Sequence, residues 1–148
     1  MSVSELLKNK GNAVYAVRET ATLREAITLL NAKNIGVVLV TDKNGHMKGI
    51  LSERDIIRKA LTRETGTQEA GFRDELVTKT MTSKVFSVDE DASIDAVMEI
   101  MTNSRIRHVP VLDGDKIMGL VSIGDVVKRK ISDAENEAAV LRDYIATG

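Results

Sequence analysis

The chain of 148 residues contains no cysteine and no tryptophan, and only one proline. The missing cysteines exclude disulfide frameworks, thiolate zinc sites, iron–sulfur clusters and cysteine nucleophiles. They also fit a reducing compartment, and we expect a cytoplasmic protein. Only two histidines are present, which excludes a histidine-rich metal site. These absences remove the commonest metal and thiol chemistries.

Long apolar runs and a charge imbalance are missing as well. No run approaches the roughly 20 residues that span a bilayer, and residues 1–11 lack the apolar segment of a signal peptide. Basic residues number 21 and acidic residues 22, which argues against a general nucleic-acid-binding surface. With 43% hydrophobic residues but 3% aromatics, the core must consist of aliphatic side chains and methionine. We expect a soluble protein without a membrane span.

The sequence does contain an internal repeat. Residues 14–42 align with 85–113, and residues 49–61 align with 119–131, with 11 identities in 42 paired positions. Most identities are apolar and are explained by core packing, but a glycine, a serine and an aspartate also recur at fixed spacing. Two copies are too few for a solenoid. We therefore predict a pseudo-twofold pair that shares one core.

Each copy has the pattern of a strand, a helix, two strands and a second helix. In copy 1 a strand at Val14–Val17 precedes a helix that begins at Thr22, with Glu25 placed as its capping-box partner. The β-branched run Ile35–Val40 predicts a buried strand, and Asn44 with the next glycine predicts a hairpin turn. Copy 1 ends with a predicted strand at Met47–Leu51 and a helix from Ser52. The predicted elements of copy 2 are a strand at Val85–Val88, a helix carrying Ile94, Val97, Met98 and Met101, a strand at Ile106–Val111, a turn at Asp113-Gly114, a strand at Lys116–Val121 and a helix from Ser122.

These patterns predict an α/β fold of two β-α-β-β-α repeats packed with pseudo-twofold symmetry, plus a C-terminal helix. We divide the chain into an N-terminal segment at 1–12, copy 1 at 13–62, a polar linker at 63–78, copy 2 at 79–131 and the C-terminal helix at 132–148.

The predicted C-terminal helix has its own apolar stripe. Five residues follow a 3-4-3-4 spacing, namely Ile131, Ala134, Ala138, Leu141 and Ile145, and Ser132 with Glu135 would cap the start. Two heptads are too few for a stable coiled coil alone. The helix therefore packs either on its own domain or against a second chain.

A Gly-x-x-Ser-x-x-Asp element occurs once in each copy, at residues 49–55 and 119–125. A serine followed three residues later by an acid is a helix-capping signature, which stabilises a helix by about 0.5–2 kcal/mol. The same residues suit a nucleotide, because the amides and hydroxyl at a helix N-terminus attract phosphate and a carboxylate one turn later can bind ribose hydroxyls. Capping and binding compete for the serine oxygen but not fully for the aspartate.

The two copies resemble a tandem pair of cystathionine-β-synthase (CBS) domains, known as a Bateman module. The two Gly-x-x-Ser-x-x-Asp elements and the strand Arg105–Val111 carry the resemblance, which covers about residues 13–131. The wording of both elements is closest to small stand-alone bacterial CBS-domain proteins. The resemblance implies a ligand sensor with sites in the cleft between the copies, a homodimer, and a regulated partner met in trans.

The resemblance also implies roles for individual residues, because in that family the aspartate binds ribose, the serine or threonine faces phosphate and the preceding strand contacts adenine. Ribose contacts fall on Asp55 and Asp125, phosphate contacts on Ser52, Ser122, Arg54, Arg105, Arg107 and His108, and adenine contacts on Ile35, Gly36, Val37, Val38, Ile106, Val109 and Pro110. The expected ligand is AMP, ATP or NADH, with S-adenosylmethionine a weaker candidate. No catalytic cofactor and no metal is expected.

The copies differ in charge around these positions. Copy 2 has three basic residues, Arg105, Arg107 and His108, where copy 1 has Asn34, Gly36 and Val37. Arginine binds phosphate through paired donors, so we predict that the copy 2 site takes phosphate better. The alternative is that these residues and Arg54 are solvated surface charges.

We expect binding without catalysis, because no nucleophile, metal set or general-base constellation stands out. The main alternative is a scaffold protein with empty clefts, in which the Ser–Asp pairs only cap helices. Nucleic-acid binding through the copy 2 arginines is a third possibility that the balanced charge disfavours. Residues 89–91 are acidic and open a helix, where the helix dipole favours negative charge, and His46 lies in a turn.

Overall fold

The computed structural model describes residues 1–11, 13–62 and 71–147. The predicted linker at 63–78 therefore lies partly outside the described residues. The elements of the first half are α1 (Val3–Lys10), β1 (Ala16–Arg18), α2 (Leu23–Lys33), β2 (Val37–Thr41), β3 (Met47–Ser52) and α3 (Glu53–Thr62). The second half has 3-10 turns at Phe72–Asp74 and Val77–Lys79, followed by α4 (Ile94–Ser104), β4 (His108–Asp113), β5 (Lys116–Ser122) and α5 (Ile123–Thr147).

The mixed α/β architecture confirms the predicted fold class. In copy 1, β2 lies between β1, which is parallel to it, and β3, which is antiparallel. In copy 2, β4 and β5 form an antiparallel pair. The predicted strand Val85–Val88 is reduced there to a single bridge between Val88 and Val111, because only Val88 exchanges backbone hydrogen bonds with β4.

The helices begin where the capping residues predict. The Thr22 hydroxyl accepts a hydrogen bond from the Glu25 amide at 3.3 Å, and the Ser93 hydroxyl accepts one from the Ala96 amide at 3.0 Å. Both helices end at a residue in the left-handed region, Asn34 and Arg105, each with φ 53°. This ending turns the chain sharply into β2 and β4.

In the described part of the chain, the buried hydrophobic side chains form two clusters, so the prediction of one shared core is wrong. The copy 1 cluster contains Leu23, Ala26, Leu30, Val38, Val40 and Leu51, joined by Phe72 and Val77 from the segment before copy 2. The copy 2 cluster contains Ile94, Val97, Met101, Val109, Val111, Val121 and Val126, joined by Val3, Leu6 and Leu7 of α1. Each core is therefore completed by the segment that precedes the other copy.

Backbone hydrogen bonds hold the two exchanged segments in matching ways. The Val3 amide donates to the Ala92 carbonyl at 2.8 Å, and the Val77 amide donates to the Ala21 carbonyl at 2.9 Å. The sequence reasoning missed α1, although Ser2, Glu5 and the spacing of its apolar residues are a helix signal: the Ser2 hydroxyl accepts from the Glu5 amide. The pseudo-twofold relation thus extends to the segments that precede each copy.

The second helix of copy 2 and the C-terminal helix are one continuous element, α5. Ser132 lies inside it and is not an N-cap, because no glycine or proline interrupts residues 125–147. Beyond Asp133 every described residue of α5 is exposed. In the described part of the chain, no helix combines the length and the hydrophobicity needed to cross a membrane.

Candidate ligand-binding sites

Each Gly-x-x-Ser-x-x-Asp element forms the turn from a strand into a helix. The Ser52 amide donates to Asp55 Oδ2 at 3.0 Å, and the Asp55 amide donates to Ser52 Oγ at 3.1 Å. Ser122 and Asp125 make the same two bonds at 2.9 and 3.2 Å. Both elements are therefore reciprocal capping boxes.

Capping leaves part of each element available. Within the described residues, no hydrogen bond reaches Oδ1 of Asp55 or of Asp125. Each serine hydroxyl accepts a bond but keeps its own proton for donation. Both pairs are half-buried, so the open carboxylate oxygen can reach a ligand hydroxyl while the cap stays intact.

The backbone amides at these helix starts are mostly used within the protein. The Glu53 amide donates to the Gly36 carbonyl at 2.9 Å, and the Ile123 amide donates to the Arg107 carbonyl at 2.8 Å. The serine and aspartate amides are engaged in the capping boxes. A phosphate bound here would depend on side chains rather than on the helix N-terminus alone, in contrast to the expectation that the amides attract it.

The strand residues expected to contact adenine divide between two faces. Val37 lies directly opposite Ser52, and His108 lies directly opposite Ser122, in the antiparallel pairs. Val38 and Val109 point instead into the two hydrophobic cores and are fully buried, because successive strand residues alternate between faces. Their side chains therefore lie on the face opposite to Val37 and His108, and the adenine contacts expected of Val38 and Val109 stay a prediction that only their backbone atoms could fulfil. The other expected adenine contacts lie beside the elements: Ile35, Gly36 and Ile106 are half-buried and Val37 and Pro110 buried.

The expected phosphate contacts differ in accessibility. Arg54, Arg105 and Arg107 are exposed, with Arg105 at the left-handed end of α4. His108 is half-buried; burial and the neighbouring positive charges of Lys10 and Arg107 lower its pKa below the ordinary value of 6.5, against an opposing effect of Asp125. The histidine is therefore neutral at pH 7 in the free protein.

Lys10 belongs to the copy 2 site, although the sequence reasoning did not include it. Its Nζ atom donates to Asp125 Oδ2 and to the Leu120 carbonyl, both at 2.5 Å. Burial raises the pKa of Asp125, but the hydrogen bonds from Lys10 and Ser122 outweigh it and leave the pKa below 3.8. Extending the repeat alignment across three additional residues before copy 1 places Lys10 opposite Lys84, which is the signal that could have revealed it.

The copy 1 site has no matching lysine contact. Within the described residues, Asp55 bonds only to Ser52, and Lys84 is exposed. Glu53 lies beside the strand end: a Cβ on Gly36 would lie 3.7 Å from Glu53 Oε2. Copy 1 therefore has Glu53 and Arg54 beside Asp55, whereas copy 2 pairs its aspartate with Lys10.

Two open surface cavities lie away from both elements. One of about 610 Å³ is bordered by Ser87, Asp89, Asp91 and Gly114, and one of about 560 Å³ lies along α5 beside Val140 and Tyr144. No group of three or more His, Asp or Glu side chains in the described residues is arranged to hold a metal ion.

The fold and the paired elements define a class: a tandem-repeat protein with one polar strand-to-helix site in each repeat. The chain belongs to the CBS domain family, whose model matches residues 3–62 and 74–132. The first matched range includes α1, and the second includes Val77 although it begins after Phe72, so the family unit begins before the repeat found in the sequence.

Individual proteins of known sequence or structure agree with this membership. The crystal structure of a CBS-domain containing protein from Agrobacterium tumefaciens is 38% identical, with a TM-score of 0.79 over 88% of this chain and 99% of that one. The CBS domain-containing protein YhcV of Bacillus subtilis is 27% identical over 85% of this chain and 83% of its own length. A CBS domain protein from Pyrobaculum aerophilum, solved in complex with AMP, is 27% identical with a TM-score of 0.73, covering 84% of this chain and 89% of that chain.

Proposed function

We propose that this chain is a regulatory module that binds an adenosine nucleotide at its Ser–Asp elements and signals through the resulting change in conformation. The observation that carries the proposal is the duplicated capping box that leaves Asp55 Oδ1 and Asp125 Oδ1 open. Membership of the CBS domain family and a 27% identical protein complexed with AMP support the same class of ligand. We propose binding without catalysis, in the cytoplasm.

The charges around the two sites suggest which class of ligand each site prefers. In copy 2, Lys10 pairs with Asp125, and the charges of Lys10 and Arg107 both act on His108. The two cations favour the phosphate of AMP, ATP or NADH, because charge-assisted hydrogen bonds to phosphate are the stronger ones. Copy 1, with Glu53 at its edge, favours ligands of low negative charge, and S-adenosylmethionine stays a secondary candidate there.

A ligand can shift the module only by binding one conformation better than another. The two elements are suited to this role because each core includes a segment from the other half. A ligand that stabilises one half therefore also affects the stability of the other half. We propose that the changed surface is recognised by a regulated protein in trans.

Thermal unfolding with AMP, ATP, NADH and S-adenosylmethionine tests the proposal. A ligand that binds only the folded chain raises its stability by RT ln(1 + [L]/Kd), so we expect an upward shift of Tm with at least one compound. The shift should fall in Asp55→Asn and Asp125→Asn. If none of the four changes Tm at millimolar concentration, the ligand-sensor function is refuted.

One structural observation favours a scaffold protein as the second candidate. The Ser and Asp side chains already have structural partners in the capping boxes, so their recurrence does not require a ligand. In that case Ser→Ala variants would change stability alone, and calorimetry would show no heat with any nucleotide.

We further propose that two chains form a homodimer. Exposed apolar side chains recur at equivalent places in the two copies: Ile57 and Leu61 of α3 match Val127 and Ile131 of α5. The apolar stripe continues along α5 to Leu141 and Ile145, which are 59% and 69% exposed. A contiguous exposed apolar surface is typical of an interaction site, and a second copy provides the same stripe.

A further inference from the structure

We propose that Lys10 acts as a built-in counter-ion that makes the copy 2 site selective for phosphate-bearing ligands. A ligand that takes both oxygens of the Asp125 carboxylate must compete with Lys10 for Oδ2. A phosphate offers Lys10 a new anionic partner, whereas an uncharged nucleoside offers none. The inference rests on the proposed function and assigns a ligand class to one of its two sites.

The position of Lys10 is fixed by the fold. Lys10 is the last residue of α1, a helix anchored in the copy 2 core by Val3, Leu6 and Leu7. The helix ends at Gly11, which has φ 95° and donates its amide to the Leu7 carbonyl at 2.8 Å. Because Val3, Leu6 and Leu7 fix the helix in the core, its last residue places the ammonium group next to Asp125.

The contacts of the ammonium group show why it competes with a ribose. Lys10 Nζ bonds to Asp125 Oδ2 and to the Leu120 carbonyl at the end of β5. The side chains of Lys10 and Asp125 are 30% and 25% exposed, so the pair is accessible to a ligand but partly shielded from water. A ribose that takes both carboxylate oxygens would have to displace this bond.

The surrounding charges determine what happens to the displaced lysine. Arg107 is a second cation near this site, because its charge and that of Lys10 both act on His108, which is itself neutral at pH 7. A lysine released without an anion would be repelled by Arg107, whereas a phosphate between the two cations neutralises that repulsion. Lysine is a compact charge on a flexible stem, so a modest rotation is sufficient to move it from carboxylate to phosphate.

Copy 1 provides the internal comparison. Its equivalent lysine, Lys84, is exposed and makes no ion pair with Asp55 in the described part of the chain. The same substitution can therefore be made at a lysine that contacts its aspartate and at one that does not. Selection by a built-in counter-ion is a property of copy 2 alone.

The experiment titrates AMP and adenosine separately into the full-length chain by calorimetry. All proteins carry Asp55→Asn, so that copy 2 dominates the signal, and they differ in Lys10→Met, Lys10→Arg or the matched control Lys84→Met. With Lys10 present we expect AMP to bind at least about tenfold more tightly than adenosine, the scale of one charge-assisted hydrogen bond. Lys10→Met should tighten adenosine binding and weaken AMP binding, while Lys10→Arg and Lys84→Met keep the original ratio.

The outcomes separate this inference from the function on which it rests. If AMP binds but Lys10→Met leaves the AMP-to-adenosine ratio unchanged, or lowers both affinities equally, the counter-ion role is wrong and the sensor function stands. If neither ligand binds any of these variants or the unmodified chain, the inference is wrong, and the sensor function is then decided by thermal unfolding with all four compounds. Circular dichroism of Lys10→Met checks that α1 is still folded.

Discussion

Ser52 and Asp55 combine two roles within four residues, and Ser122 and Asp125 repeat the combination. One carboxylate oxygen and the serine lone pair hold the helix start together. Within the described residues, the other carboxylate oxygen accepts no hydrogen bond and the hydroxyl donates none. Because different atoms carry the two roles, substitutions can be chosen that affect one role at a time.

The capping role predicts a stability effect that needs no ligand. Ser52→Ala and Ser122→Ala should each lower the free energy of unfolding by about 1 kcal/mol, since each removes the acceptor of a helix-start amide. Asp55→Asn keeps an oxygen that can accept from the Ser52 amide and should cost less. Urea denaturation without nucleotide measures both, and equal stability of Ser52→Ala and the unmodified chain would contradict the capping role.

His108 predicts the pH dependence of stability above pH 5. Its pKa in the folded chain lies below the ordinary 6.5 because of burial and the charges of Lys10 and Arg107. Between these two values the unfolded chain binds a proton that the folded chain does not, so stability is full above about pH 6.5 and falls as the pH drops. Asp125 also has a lowered pKa, but the stability that its carboxylate contributes is lost only when the pH falls below about 3.8.

The measurement compares the free energy of unfolding at pH 7.5 and pH 5.5 for the unmodified chain and for His108→Gln. The unmodified chain should lose more stability on acidification than the variant. Identical losses in the two proteins would show that another group controls this range.

At the scale of elements, the two repeated glycines allow the exchanged segments to approach the sheets. A Cβ on Gly119 would lie 2.7 Å from a methyl carbon of Leu7, and a Cβ on Gly49 would lie 2.6 Å from Met81 Sδ and 2.8 Å from the Thr82 carbonyl oxygen. A side chain can rotate away, but the Thr82 carbonyl is paired with Ile50 in a backbone bridge.

Gly49→Ala should therefore destabilise the chain more than Gly119→Ala, although the residues occupy the same place in the repeat. Overpacking costs about 1–3 kcal/mol, and we expect Gly119→Ala at the lower end and Gly49→Ala at or above the upper end. Leu7→Ala combined with Gly119→Ala should cost less than the sum of the two single changes, because the smaller side chain removes the clash. Chemical denaturation gives the order, and a larger loss for Gly119→Ala would contradict the packing described here.

The elements show what the sequence could reveal. The cap at Thr22 and the Ser–Asp elements were predictable because each depends on neighbours within a few residues, and the repeat was predictable because the two copies share residues at fixed spacing. The exchange of α1 and the Phe72–Val77 segment was not, because a buried partner from the other half leaves no local pattern. The match between Lys10 and Lys84 is also difficult to detect in the sequence, because residues 11–13 separate Lys10 from copy 1, whereas Lys84 directly precedes Val85.

The continuous helix α5 could be anticipated only in part. The apolar spacing at Ile131, Ala134 and Ala138 predicts a helix there, which the structure has. The sequence placed a new start at Ser132, since serine followed by glutamate resembles a cap. A good helix-forming stretch on both sides overrides such a local signal.

At the scale of the whole molecule, each half is incomplete without the other. Val3, Leu6 and Leu7 are buried in copy 2, while Phe72 and Val77 are buried in copy 1. Unfolding of one half therefore removes part of the other core. This coupling is the physical basis for proposing that a ligand at one element is detected across the module.

The exposed stripe of α5 predicts the assembly of the molecule. Removal of residues 134–147 should weaken the homodimer without unfolding either core, since every described residue of that stretch is exposed. Leu141→Asp with Ile145→Asp should act in the same way, and Asn136→Asp is a control on the same helix. Sedimentation equilibrium measures the dissociation constant; a monomeric unmodified chain, or an unchanged constant in all variants, would contradict this assignment of the stripe.

The central claim is that the Ser–Asp elements bind an adenosine nucleotide, and calorimetric titration of AMP tests it most directly. We predict saturable heat with the unmodified chain, a reduced number of sites or a lower affinity in Asp55→Asn and in Asp125→Asn, and no binding in the double variant. Unaltered AMP binding by a folded double variant would place the ligand elsewhere and contradict the account.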